Sequence, residues 1–224
     1  MHRRRRTALS VSVALVAAAP LLAACGSQPH PGAAAVVGKD RITVAALQTQ
    51  VNDVRAAQNK SPQAAELIRS SNNLSGMKLG TMIFDRVLAK AASDAGAKVT
   101  RKDIQDARAQ LVKQAGSEQR LQQVYLQQNG IAPGQIDQAL QEQVTASKLA
   151  AKLGGASLST PQGQSAVLQA MMKTSRAMGV DVNPRYGVWD AKKSQLGAYK
   201  TPWITEVTKE QSAQSAGTGV SAAG

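Results

Sequence analysis

The sequence predicts a mostly α-helical protein in which several helices pack as a bundle. Apolar residues recur at every third or fourth position through most of the chain, as they do on one face of a helix. Thr, Ser and Pro precede these segments and Gly follows them, as at the ends of helices. No interior segment shows the sustained alternation of apolar and polar residues that is typical of strands.

The front of the predicted domain is a short strand and a turn that lead into the first helix. Residues 35–43 carry the β-branched and small residues of a strand, and Gly38 can adopt the positive φ that a tight turn needs. Thr43 is the predicted N-cap of a helix over residues 44–58. The apolar positions of this helix lie on one face: Leu47, Val51 and Val54.

The rest of the domain is predicted to consist of further helices. Ser61 as cap and Pro62 at the first position predict a short second helix. Apolar residues at every fourth position predict a long helix over residues 74–95, which ends near Gly96. The remaining helices are predicted after Thr100 up to Gly116, around Leu121 up to Gly130, over residues 136–153, and from Thr160 and Pro161 through Met178.

The N-terminus has the layout of a secretory signal. Four consecutive arginines are followed by an apolar stretch and then by small residues. The sequence LAACG around Cys25 resembles the lipobox of bacterial lipoproteins. This resemblance implies cleavage before Cys25 and attachment of lipid to its thiol, with an ordinary secretory signal and a chance cysteine as the alternative. Two acyl chains would anchor the mature chain firmly.

Composition divides the chain into four parts. Residues 1–24 are the expected lipoprotein signal peptide, and residues 25–34 a lipidated cysteine and flexible linker. Residues 35–209 are the expected helical domain. Residues 210–224 have almost no apolar bulk, so a disordered tail is expected there.

The chain is strongly basic, with a formal net charge of +13, of which four charges belong to the signal. In a protein without a signal this charge would suggest nucleic acid. Behind a lipobox, nucleic acid is not expected, and anionic lipids or wall polymers are the nearer partners. The simpler alternative is a solvated basic surface, because no run of Lys or Arg follows the signal.

The sequence offers little for catalysis. The only histidines are His2 and His30, and Cys25 is the only cysteine, so none of them lies in the predicted helical domain. A histidine general base, a Ser-His-Asp triad and a histidine-bearing metal site are therefore not expected. Carboxylates such as Asp103 and Asp106 are expected to face solvent. We expect no catalytic residue, no metal and no cofactor.

Two motifs resemble the N-terminal-domain family of SurA. They are Val37-Gly38 with Ile42-Thr43 at the front, and Asn183-Pro184-Arg185-Tyr186-Gly187 with Trp189 at the back. The resemblance spans residues 35–208. It implies a helical bundle in which residues 180–189 return as a strand that pairs with the front strand. The expected fold is thus a multi-helix bundle closed by a small two-stranded antiparallel sheet.

The resemblance also implies a function. SurA and its relative PrsA are envelope chaperones, so this chain is expected to bind unfolded or nascent exported polypeptides at the outer face of the cell membrane. Those proteins also carry parvulin domains that isomerise X-Pro bonds. Only roughly thirty residues lie between the helix that ends near Leu153 and the motif at Asn183, which leaves no room for such a domain. A peptidyl-prolyl isomerase is therefore not expected despite the family association.

The candidate client-binding residues come from the few aromatic and methionine side chains. Four of the six aromatic residues lie within eighteen residues near the C-terminus, among them Tyr186, Trp189 and Trp203. Met171 and Met178 are seven residues apart and so share a helix face. Each of these side chains can either close the core or contact a client. The alternative function is a structural or adaptor lipoprotein that docks on one envelope partner or an anionic wall polymer.

Overall fold

The computed structural model describes residues 31–154 and 157–197, which form seven helices and five short strands. The strands are β1 Ala33–Val37, β2 Asp40–Thr43, β3 Val180–Val182, β4 Val188–Asp190 and β5 Gln195–Gly197. The helices are α1 Val44–Asn59, α2 Ala64–Ser70, α3 Leu74–Asp94, α4 Arg101–Ala115, α5 Glu118–Asn129, α6 Ile136–Gly154 and α7 Pro161–Met178. The mostly helical fold class is confirmed.

The two ends of the described chain meet in one antiparallel sheet with the strand order β2-β1-β3. Val37 lies opposite Val180, and Ala35 lies opposite Val182. The predicted pairing of the front and back segments is therefore confirmed. The sheet has a third strand because residues 40–43 fold back on β1 as a hairpin. β1 also begins at Ala33, two residues before the expected start of the domain.

The returning strand is shorter than residues 180–189. Only β3 pairs with β1, because Pro184 has no N–H to continue a ladder. The backbone N–H of Tyr186 instead donates to the carbonyl of Asn183 over 2.9 Å and closes a turn. Residues 188–190 then pair with β5 as a separate hairpin, and β5 is a strand that the sequence did not predict.

Most predicted helix ends are those observed. Thr43 accepts a hydrogen bond from the N–H of Ala46 over 3.0 Å, and Thr160 accepts one from Gly163. Thr100 and Asp103 form a reciprocal capping box at the start of α4. The glycines that follow α4 and α5 both adopt left-handed backbone, as expected for helix ends.

The predicted start of α2 is wrong. The helix begins at Ala64, and Ser61 does not cap it. The carbonyl of Ser61 accepts from the N–H of Ala64, and its hydroxyl accepts from the N–H of Gln63 over 3.2 Å. Ser61 is therefore part of the tight turn between α1 and α2.

Helix α3 lies at the centre of the protein and packs against α1, α6, α7 and β1. Its apolar face is fully buried, and side chains from the other helices and the sheet complete the same core. The largest buried apolar side chains are Ile42, Leu47, Leu74, Leu79, Ile83, Leu88, Ile136, Leu140, Leu149 and Met171. None of the helices in the described residues is both long enough and apolar enough to span a bilayer.

Candidate functional site

A groove of about 1090 Å³ lies between α3 and α7. Residues at the C-terminal end of α6 and in the β1–β2 turn also line it. We call it the α3–α7 groove. Its apolar lining consists mostly of alanines, with two larger side chains: Ala91, Ala95, Leu153, Ala166, Ala170, Ala177 and Met178. The groove is thus large enough for a short segment of polypeptide.

Small side chains on the facing helices create this space. On α7, Ala166, Ala170 and Ala177 recur at intervals of four and seven residues, which places them on one side of the helix. On α3, Ala91 and Ala95 are four residues apart. A leucine at any of these positions would fill part of the α3–α7 groove, so the alanines keep the groove open.

The groove combines an exposed apolar side chain with a basic rim. Leu153, at the end of α6, is 40% exposed. Lys39, Lys90 and Lys173 border the groove. Lys90 pairs with Asp94 four residues along α3, whereas the other two make no ion pair within the described residues. The surface is therefore apolar along its floor and positively charged at its edge.

Of the two predicted methionines, only Met178 reaches this groove. Met178 is half-buried and is the last residue of α7. Met171 is only 1% exposed and lies in the core, so its side chain is not on a client-accessible surface. Their spacing of seven residues gives nearly the same helix face. However, Met171 lies in the part of α7 that packs into the core, whereas Met178 lies at the end of α7, where the side chain is only half-buried.

Two of the predicted aromatic residues, Tyr186 and Trp189, pack against the core near the returning strand. Trp189 is half-buried against the core, and its Nε1 donates to the hydroxyl of Ser175 over 2.7 Å. Tyr186 also packs on the core and lines a second cavity of about 440 Å³ between α3 and the β4–β5 hairpin. Met77, which is 52% exposed, lines the same cavity. Cys25 and Trp203 lie outside the described residues.

A pair of acidic residues between α3 and α6 was missed by sequence reasoning. Asp85 accepts from Gln138 over 2.7 Å through one oxygen, while its Oδ1 is buried and receives no N–H donor among the described residues. Burial, and to a smaller extent the charge of the adjacent Asp85 and a hydrogen bond to it, together raise the pKa of Glu142 to about 8. The raised pKa favours the protonated form of Glu142, and in that form its hydroxyl can donate to Asp85.

Of the two carboxylates expected to face solvent, Asp106 is exposed and Asp103 is half-buried, and both form ion pairs. Asp103 binds Thr100 and Lys148, and the hydrogen bond from Lys148 is the main reason that the pKa of Asp103 lies well below its usual range. Asp106 pairs with Lys102 on the same helix. Within residues 31–154 and 157–197, no three His, Cys, Asp or Glu side chains gather closely enough to hold a metal ion.

Sequence periodicity could not locate the groove, although it located the helices around it. The alanine spacing on α7 is compatible with an open groove, but it equally predicts close packing of α7 against a neighbouring helix. The acidic pair left no signal at all, because it forms only when α3 and α6 pack together.

Comparison with known proteins identifies the family. The sequence model of the SurA-like N-terminal domain matches residues 1–150, which is more than half of the 224-residue chain. A search of curated proteins and a search of solved structures found no match. The matched region includes β1, β2, helices α1 to α5 and most of α6. The chain belongs to the family of SurA-like N-terminal domains.

Proposed function

We propose that this protein is a membrane-anchored chaperone that binds unfolded exported polypeptides outside the cytoplasm. Clients bind in the α3–α7 groove. The observation that carries the proposal is the groove itself, which combines an apolar floor with an exposed Leu153 and a rim of lysines. The protein has no isomerase activity of its own.

Family membership supports this function. The SurA-like N-terminal domain suggests a chaperone-like role outside the cytoplasm, and this domain alone is not catalytic. The proposal adds a location for the client and a mode of attachment to the membrane. The location rests on the residues that line the α3–α7 groove, and the attachment rests on the motif around Cys25.

The lining of the groove suits clients of varied sequence. Alanines present a shallow surface with little side-chain detail, and Met178 is unbranched and can adjust to different neighbours. Tyr186 and Met77 contribute apolar surface to the smaller cavity near the start of α3. Trp189 has a structural role, because its ring packs on the core and its N–H is already bonded.

The N-terminal sequence supports attachment to the membrane. The four arginines, the apolar stretch and the LAACG motif predict a lipid on Cys25. Such an anchor would hold the groove near the site at which exported chains emerge. We therefore place the protein on the outer face of the cell membrane.

The test is suppression of aggregation by the full chain, measured by light scattering with several unrelated unfolded proteins. The proposal predicts suppression of every client at near-stoichiometric concentrations. Suppression of none, together with capture of one stoichiometric partner or wall polymer, would instead indicate a structural or adaptor lipoprotein.

A further inference from the structure

A third cavity, which is basic, lies at the C-terminal ends of α3 and α6. It has a volume of about 550 Å³ and is lined by Gly96, Ala97, Lys98, Lys148, Ala151 and Lys152. Lys148 pairs with Asp103 over 2.5 Å. Lys98 and Lys152 are exposed and make no ion pair within the part of the chain that the structure describes. Two unneutralised cations therefore remain here. We call them the lysine pair.

The basic cavity adjoins the α3–α7 groove. Ala95 lines the groove and Gly96 lines the basic cavity, at the end of α3. Likewise, Leu153 lines the groove and Lys152 lines the basic cavity, at the end of α6. Because consecutive residues line the two hollows at both helix ends, the apolar groove and the basic cavity lie next to each other, and we treat them as one candidate docking surface.

We propose that this surface selects polypeptide segments in which an apolar stretch is directly flanked by Asp or Glu. The inference rests on the proposed function, since it assigns a preferred client to the same groove. The apolar stretch occupies the α3–α7 groove, and the acidic flank binds the lysine pair. Carboxylates on the client neutralise charges that the protein leaves unpaired, which favours the acidic client over a neutral one.

The shape of the surface favours a polypeptide over a lipid bilayer. A membrane presents a broad plane of head groups, whereas the apolar part of this surface is a hollow of about 1090 Å³ between two helices. A phosphate head group would need the lysines alone and would leave the alanine-lined floor empty. An extended segment with apolar and acidic residues satisfies both parts.

The experiment compares two fluorescent peptides on the full chain in detergent. Both peptides have the same apolar stretch, flanked by Asp and Glu in one and by Ser and Gln in the other. We expect the acidic peptide to bind roughly tenfold more tightly at low salt. The advantage should shrink at about 0.5 M NaCl, because salt screens exposed charges.

Charge reversal tests the lysine pair directly. Lys98→Glu with Lys152→Glu should abolish the advantage of the acidic peptide and change the affinity of the neutral peptide by less than about twofold. Lys60→Glu with Lys113→Glu is the matched control, because both lysines are exposed, line none of these hollows and give the same change in net charge. The control variant should still bind the acidic peptide more tightly than the neutral peptide.

Other results separate this inference from the proposed function. If both peptides bind equally, the inference is wrong and the chaperone function stands. The same holds if the control variant loses as much of the preference for the acidic peptide as the Lys98/Lys152 variant does. If neither peptide binds, the proposed function fails as well. Glycerol phosphate is the probe for a head group. Its binding through the lysine pair, without any preference for acidic peptides, would overturn the inference in favour of lipid.

Discussion

The indole Nε1 of Trp189 donates a hydrogen bond to the hydroxyl of Ser175 over 2.7 Å and so joins β4 to α7. Ser175 is only 1% exposed, and the Trp189 ring packs against the core. The C-terminal segment is therefore tied both to the front strand, through β3, and to the last helix. This double attachment holds α7, one wall of the groove, in place.

A double-mutant cycle measures this attachment. Trp189→Phe keeps a ring but removes the N–H, which leaves the buried Ser175 hydroxyl without this donor. We expect a loss of about 1–2 kcal/mol in the free energy of unfolding, measured with urea. Ser175→Ala should cost a similar amount, and the double variant should cost less than the sum by about 1 kcal/mol. Strictly additive losses would show that the two side chains do not interact in solution.

Gly38 offers a test of the contact between the β1–β2 turn and the end of α7. Its φ is +62°, and a Cβ there would lie 3.5 Å from the Met178 side chain. We expect Gly38→Ala to destabilise the protein by about 1–2 kcal/mol, because alanine is strained at positive φ. Gly134→Ala is the control, since a Cβ at Gly134 would meet nothing within 4 Å. Equal stability of the two variants would contradict the observed turn.

The acidic pair predicts a pH dependence of stability. The pKa of Glu142 is about 8 in the folded chain, against an ordinary value of 4.5. The folded chain thus holds this proton more tightly, so the contribution of Glu142 to stability is fully present below pH ~4.5 and is lost as pH rises towards about 8. We expect this group to contribute a loss of about 2–4 kcal/mol across that window, measured by urea unfolding at several pH values.

Glu142→Gln isolates this effect. Glutamine keeps a donor for Asp85 but does not titrate, so the variant should lose most of this pH dependence and be more stable than the original chain at pH 8. Glu66→Gln, at an exposed position on α2, should leave the dependence unchanged. A Glu142→Gln variant with the full dependence would show that another group is responsible.

The proposed anchor is tested by Cys25→Ala. In bacteria that process lipoproteins, the original chain should take up labelled fatty acid and sediment with membranes. The variant should lose the label, because the thiol that accepts the lipid is missing, and it should leave the membrane fraction. Unchanged labelling of the variant would refute lipid attachment at this cysteine.

Local signals explain what the sequence could predict. The helix ends at Thr43, Thr100 and Gly116 depend on residues within one turn, and all three were predicted correctly. Ser61 carried the same local signal as Thr43, but its hydroxyl and carbonyl are used by the turn after α1. Local residue type therefore identifies a possible cap, and the course of the neighbouring chain decides whether it is used.

Long-range packing explains what the sequence could not predict. The break at Pro184 was a local signal, yet the pairing of residues 188–190 with β5 depends on where the chain turns back. Met171 and Met178 looked equivalent by spacing, and only the packing of α7 distinguishes the buried side chain from the one in the groove. The groove likewise exists only when α3, α6 and α7 are assembled.

Blocking the α3–α7 groove tests the account most directly. Ala177 is exposed and lines the groove, so Ala177→Trp should fill it without disturbing the core. Ala65→Trp, at an exposed position on α2 away from the groove, is the control. With circular dichroism unchanged, we predict that Ala177→Trp needs at least about fivefold more protein for half-suppression of client aggregation, a loss of about 1 kcal/mol in binding, while the control does not. Full activity of Ala177→Trp would contradict the groove as the client site.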